Sequence, residues 1–438
     1  MGLETFLPCT TLFSVFRDMK YSKANRHQIF RLKYAKLFCL KSLLILSTVS
    51  CSQTQPSGPI SVAVEENDSI SAEIPIVVGA ERTDQYVFLL KGKTVGIVGN
   101  QSSLIDEVHL VDSLLSLGVK VKKVFSPEHG FRGDADAGEY VSSAKDKRTG
   151  LPVVSLYGQN KKPTAVQLSG LDVVVFDIQD VGVRFYTYIS TLHYVMEACA
   201  ENNIPVIVLD RPNPNGHYID GPVLDMNYKS FVGMHPVPIV YGMTIGEYGK
   251  MINGEGWLES NKQCDLQVIP CDNYYHQTPY SLPVPPSPNL RSDVSIQLYP
   301  SLCLLEATTV TVGRGTEGPF ERYGHPKFPK TEFSFTPKPG YGSKKPKFNG
   351  EVCHGYNLND TNYHRMNAID LSFLLNSSNL LKTQLFDGKE KFFNLLAGNN
   401  ILLSQIKSGM TNEAIHETWK ESLDGFRHIR SKYLLYTD

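Results

Sequence analysis

The chain has 438 residues, 41% of them hydrophobic, which is ample for two or three domains' worth of cored structure. Its formal net charge is −1, so there is no electrostatic case for nucleic acid as a partner. The 8 cysteines are spread thinly, with no CxxC, and Cys264 and Cys271 are the closest pair beyond the leader; neither a zinc site nor a disulfide framework is expected.

Residues 1–51 read as a targeting segment. Arg26, Arg31, Lys33, Lys36 and Lys41 precede the apolar run Ser42 to Val49, and Ser50-Cys51-Ser52 follows. A basic region, a short apolar core and a small residue form a secretory signal, and the core is too short to span a membrane. Met19 offers a second start. Cysteine directly after the core resembles a bacterial lipobox, with Cys51 lipidated, although Thr48 stands where leucine is usual. A plain cleaved signal with a chance cysteine is the alternative, and either way the mature protein works outside the cytoplasm. Residues 52–87, rich in Ser, Pro, Gln and acidic groups, read as a flexible tether.

Order is expected from residue 88. Lys93 to Asn100 is a strand, Leu104 to Leu117 has helical spacing and stops at Gly118, and Val119 to Phe125 is a second strand. Leu151 to Tyr157 is a short strand. Val173 to Asp180 and Pro205 to Pro212 are almost wholly apolar, as buried parallel strands are, and Tyr188 to Asn202 between them is a helix. Alternating strands and helices predict an α/β fold, a Rossmann-like parallel sheet over 88–290. The proline-dense stretch Pro283 to Asn289 marks a boundary, and a smaller α+β C-terminal domain follows over 291–438. There a helix is expected near Leu371 to Leu381, and Lys327 to Lys347 as exposed loops.

The second strand runs into Ser126-Pro127-Glu128-His129-Gly130-Phe131-Arg132-Gly133. Pro127 ends the strand, and Gly130 and Gly133 permit backbone angles that other residues avoid. Glu128 and His129 are therefore expected on a tight turn at the carboxyl edge of the sheet, where open α/β folds bind ligands. A partly buried carboxyl group there suits general acid catalysis. The other strand ends are polar too: Asn100 after the first, Asp177, Asp180 and Arg184 after the third main strand, and Asp210, Arg211 and Asn213 after the fourth. Any one of these alone is as well explained as a cap or loop anchor. Together they predict a polar crevice. Tyr186 and Tyr188 alternate with Phe185, so one is expected to stack on sugar and another to pack inside. There is no GxGxxG, no GxSxG elbow, no P-loop and no HExxH, so nucleotide, serine hydrolase and zinc protease chemistry lose their main support. Carboxylates with Arg, His, Tyr and Asn fit glycoside hydrolysis.

The segments SPEHGFRG (126–133), FDIQDVGVRFYTYI (176–189), LDRPNP (209–214), YGMTIGE (241–247), SPNL (287–290) and TVGRGTEGPFERYGHP (311–326) resemble the NamZ family of exo-β-N-acetylmuramidases. The resemblance implies release of N-acetylmuramic acid from non-reducing ends of peptidoglycan fragments, without a cofactor or metal. It implies an active site in the cleft between the two domains, with Glu128 as the catalytic residue. Asp177 is the first choice for a partner carboxylate, unless the substrate's own N-acetyl group serves as nucleophile. His129 is expected to orient Glu128 or the sugar, or simply to pack. Asn100, Arg132, Asp180, Arg184, Tyr186, Asp210, Arg211, Asn213, Asn289, Arg314 and Glu317 are expected to line the substrate. Arg132 is the first choice to read the lactyl carboxylate of muramic acid, with Arg184, Arg211 and Arg314 next; pairing of Arg132 with Asp134 or Asp136 is the alternative. A lipid-anchored sugar- or muropeptide-binding protein without turnover is the second reading, and a metal-assisted hydrolase using Asp177, Asp180 and Asp210 the third.

Overall fold

The structure is a computed structural model and describes residues 74–132, 144–359 and 365–438. Cys51, Asp134, Asp136 and Gly133 lie outside the described residues. The tether expected over 52–87 is corrected from Ile74 onward. Val77 pairs with Asp272, three short helical turns run from Gly79 to Leu90, and Tyr86 is fully buried with its hydroxyl donating to the Ala80 carbonyl.

The main sheet holds β1 (Thr94–Gly99), β2 (Lys120–Ser126), β3 (Ala144–Lys145), β4 (Pro152–Ser155), β5 (Val173–Asp177), β6 (Val206–Leu209) and β7 (Leu266–Ile269). Its order is β3-β4-β2-β1-β5-β6-β7; six strands are parallel and β3 is an antiparallel edge. The chain runs outward from β1 to β4 on one side and from β5 to β7 on the other, which is the Rossmann order, and the direction changes between β1 and β5. Every residue of β5 and β6 is buried, because helices cover both faces. The helices that matter below are α1 (Leu110–Ser116), α2 (Tyr188–Glu201), α3 (Ile245–Gly254), α4 (Asp293–Leu302), α5 (Ser372–Leu381) and α6 (Glu390–Ala397). The helix expected from Leu104 starts only at Leu110, because Leu104-Ile105 and Val108-His109 form a small antiparallel ladder first. A second sheet, β8 (Arg322–His325), β9 (Ser334–Phe335) and β10 (Cys353–Asn357), is antiparallel in the order β8-β10-β9.

One large apolar cluster joins both halves of the chain. It contains Phe125, Val174 and Phe176 from the parallel sheet and Ile296, Leu374 and Phe393 from α4, α5 and α6. Arg184 reinforces the junction. It is fully buried, and its Nη1 donates to the carbonyls of Pro222 and Val237 while its Nη2 donates to those of Leu396 and Ala397. The last two are orphan carbonyls at the end of α6, which an arginine satisfies well. Gly398 ends that helix with φ 82°, and a Cβ there would lie 2.5 Å from Arg184 Nη2, so conformation and space both require glycine.

Candidate active site

The turn after β2 is tighter than the glycines alone suggest. Gly130 N–H donates to the Pro127 carbonyl at 3.2 Å. Gly130 takes φ 81°, as expected of a glycine, but His129 takes φ 73° as well. A non-glycine residue in that region costs about 1–3 kcal/mol, and such strain collects at functional turns. Its effect is to bury His129 and to place half-buried Glu128 beside it on the wall of a cavity of about 470 Å³.

Tyrosines surround Glu128. The Tyr157 hydroxyl, two residues beyond β4, is hydrogen-bonded to it. Burial pushes the Tyr157 phenol up, and the Glu128 charge pushes it further; the same two causes raise Tyr188, at the start of α2. Both hydroxyls therefore stay protonated and able to donate. Asn100 fixes Tyr188 by donating its Nδ2 to that hydroxyl at 3.0 Å. Tyr186 packs edge-on against Tyr188 at 4.8 Å and donates to the Pro286 carbonyl at 2.7 Å. The proline stretch read as a boundary is thus part of the cavity wall, with Ser287 and Leu290 lining it.

The opposite wall comes from far along the chain. Glu306, Arg314, Phe320, Ser343, Lys345, Lys347 and Phe392 line it. Arg314 donates Nε to Oε2 of Glu306 at 2.8 Å, and its Nη2 lies 2.6 Å from the same oxygen as an ion pair. Burial pushes Glu306 up, but Arg314 and Lys347 overcome this and hold it below its ordinary value. Lys347 donates to the carbonyls of Glu306, Thr308 and Val310 at 3.0, 2.9 and 2.9 Å, which fixes that wall. Lys327 to Lys347, expected as exposed loops, therefore contributes buried and lining residues.

Of the residues singled out in the sequence, Glu128, His129, Tyr186 and Arg314 line the cavity, and Asn100 supports it from behind. The others are placed differently. Asp177 is fully buried and holds Arg211 through both oxygens, at 2.6 and 2.9 Å. Burial pushes its carboxyl up, and the guanidinium opposes that shift. Asp180 accepts from Gly182 N–H and the Tyr241 hydroxyl, not from Arg184, and burial raises its carboxyl to about 6. Asp210 accepts from Thr244, Gly246 and the Tyr436 hydroxyl, so it anchors the start of α3, and burial raises it to about 6. Asn213 binds Asn215 N–H and the Met243 carbonyl. Asn289 donates to the Gly342 carbonyl, behind the lining residue Ser343. Arg132 is engaged by Asp146, at 3.0 and 2.9 Å, and by Asp112 at 3.4 Å, so it ties the loop after β2 to α1. Glu317 is exposed and does not line the cavity. The three aspartates of a metal-assisted reading are thus held by separate protein partners. Tyr157, Glu306 and Lys347 were not expected in the site, although Tyr157 ends the short strand read over Leu151 to Tyr157, a signal that could have found it.

Held by Arg211 and buried, Asp177 is expected to support the crevice rather than to react in it. Asp177→Asn should leave Arg211 buried without its counter-charge and lower stability by about 3–5 kcal/mol. The kcat of the folded fraction should fall less than tenfold. Chemical denaturation paired with active-site titration measures both, and a kcat loss of a hundredfold in fully folded protein would restore Asp177 to the chemistry.

Residues 95–294 match the family described as exo-β-N-acetylmuramidase NamZ, N-terminal, and residues 297–436 match its C-terminal counterpart. The peptidoglycan β-N-acetylmuramidase NamZ of Bacillus subtilis (strain 168) is 36% identical over 419 residues, covering 91% of this chain and 98% of that protein. Two solved DUF1343 family proteins of Bacteroides fragilis superpose with TM-scores of 0.77 and 0.71, at 43% and 29% identity. Each covers 83% of this chain, which spans 100% and 99% of theirs.

Proposed function

The chain belongs to the NamZ family of exo-β-N-acetylmuramidases, and we infer from that membership and from the cavity that it is a glycoside hydrolase removing N-acetylmuramic acid from the ends of peptidoglycan fragments. The observation that supports the chemistry is Glu128: a carboxyl group on a strained turn at the carboxyl edge of β2, inside an aromatic cavity. Glu128 protonates the departing glycosidic oxygen, and the Tyr157 hydroxyl holds its carboxylate in place. The tyrosine floor packs against the sugar face.

Among the described residues, Glu306 is the other carboxylate lining the cavity, and Arg314 keeps it ionised and oriented. With Asp177 also engaged, the substrate's N-acetyl group is the favoured nucleophile. The test is a muramyl–glucosamine disaccharide followed by NMR from the first turnover. Free N-acetylmuramic acid formed with retained configuration is the expected result. Inversion would assign a water as attacker, and no released sugar would leave a binding protein instead.

The same proposal places the enzyme outside the cytoplasm, in the periplasm of a Gram-negative cell, held to a membrane by lipid on Cys51; the basic residues, apolar run and Ser50-Cys51-Ser52 support it. Wild-type protein should fractionate with membranes, and Cys51→Ser should release it with its turnover intact. Soluble wild-type protein would end the lipid reading and leave the export reading standing.

A further inference from the structure

We propose that Arg314, oriented by Glu306, binds the lactyl carboxylate that distinguishes N-acetylmuramic acid from N-acetylglucosamine; this rests on the muramidase reading above. A site that requires that carboxylate needs a cation, and a guanidinium matches its two oxygens with two parallel donors.

The structure narrows the choice by elimination. Arg132 is held by Asp146 and Asp112, Arg211 by Asp177, and Arg184 by four backbone carbonyls. None of the three lines the cavity. Of the lysines that do, Lys347 has all three of its donors on the carbonyls of Glu306, Thr308 and Val310. Lys345 is exposed on a flexible stem at the rim. Arg314 is different. Glu306 takes its Nε and Nη2 through one oxygen, and no described residue partners its Nη1. That leaves the Nη1/Nη2 edge of a cavity-lining guanidinium for a second planar acceptor.

The arginine is also preorganised. Gly313 and Gly315 on either side both take φ 80°, and a Cβ on Gly313 would lie 2.6 Å from the Arg322 side chain. Phe320 supports the guanidinium face at 5.1 Å. Glu306 fixes the fork in its plane and balances its charge when no substrate is bound. Arg314 is thus a substrate-binding residue and Glu306 a positioning residue.

The test compares two aryl glycosides of N-acetylmuramic acid, one with a free lactyl carboxylate and one with that group as a methyl amide. Wild type should prefer the acid in kcat/KM. Arg314→Met should lose roughly 10- to 150-fold on the acid, the worth of one charge-assisted contact, and the preference should collapse toward unity. Because Arg314→Met leaves Glu306 unpaired, Arg314→Lys provides a second variant that keeps the charge and removes the fork; its preference should also fall. A folded variant that retains the wild-type preference overturns the assignment. Calorimetric binding of N-acetylmuramic acid and its amide to Glu128→Gln protein, with and without Arg314→Lys, reads the contact without turnover. Loss of discrimination there supports the proposal even if the hydrolase reading fails, and unchanged discrimination refutes it.

Discussion

Glu128→Gln should lower kcat on a muramyl–glucosamine substrate by about 10²–10⁴-fold and leave the fold intact, because general acid catalysis contributes that much and the exchange is nearly isosteric. Gln keeps the shape and an acceptor for the Tyr157 hydroxyl, but it has no proton to give. The strain at His129 supports this reading. A φ of 73° in a buried histidine costs free energy that an ordinary loop would relax, and here it sets the side chain next to it on the cavity wall. The loss should depend on the leaving group. A nitrophenyl glycoside departs with little protonation and should slow far less than the disaccharide, while KM stays within a few fold for both. A structural role would slow both alike. Near-normal turnover of the disaccharide by folded Glu128→Gln protein would remove Glu128 from the chemistry.

The scaffold was legible in the sequence because its signals are local. Val173 to Phe176 and Val206 to Leu209 are apolar on both faces, which only a covered parallel strand is, and Pro127 marks where β2 must stop. Glu128 was legible for the same reason, as the first titratable group past that stop. The remaining strand ends misled, and Asp177 shows why. A carboxylate at a strand's end either faces the crevice or is taken by the residue ending the next strand. Asp177 and Arg211 end adjacent strands and take each other. One-dimensional order carries no information about which of these happens. The far wall was legible only at Arg314, on its glycine-rich loop. Glu306, Arg314 and Lys347 meet Glu128 only after the chain has folded over some two hundred residues, and their mutual bonds are tertiary. Strand β7, with the alternating burial of an edge, was missed because Leu-Gln-Val-Ile is short and has a polar member.

Acid should unfold this protein well before its ion-paired carboxylates protonate. His109, His193 and His325 are buried, and burial is the main cause that pushes each down to about 4; His235, behind His193, is pushed further down by burial and by His193 itself. A lowered histidine favours the fold at neutral pH and loses that contribution as pH falls below the unfolded value near 6.5. Between pH 6 and 4.5 the unfolded chain carries protons that these native histidines refuse. Asp180 and Asp210 act in the opposite direction: raised to about 6, they accept protons in the native state before the unfolded chain does. Asp177 is raised by burial as well, and His217 is lowered by burial, so five lowered histidines stand against three raised carboxylates and the balance stays on the unfolded side. Stability should therefore fall as pH drops across that window. The packing explains the shift at His235. His235 lies between His193 and the Tyr248 hydroxyl, at 2.9 Å from each, and stacks on Trp257, so these neighbours offer a charge there no carboxylate. Urea denaturation at pH 7, 6 and 5 measures the slope. His109→Asn should flatten it by about 1.4 kcal/mol per pH unit, one proton's worth. A midpoint that does not move between pH 7 and 5 would mean that these histidines are charged in the native protein and that their polar neighbours accommodate the charge.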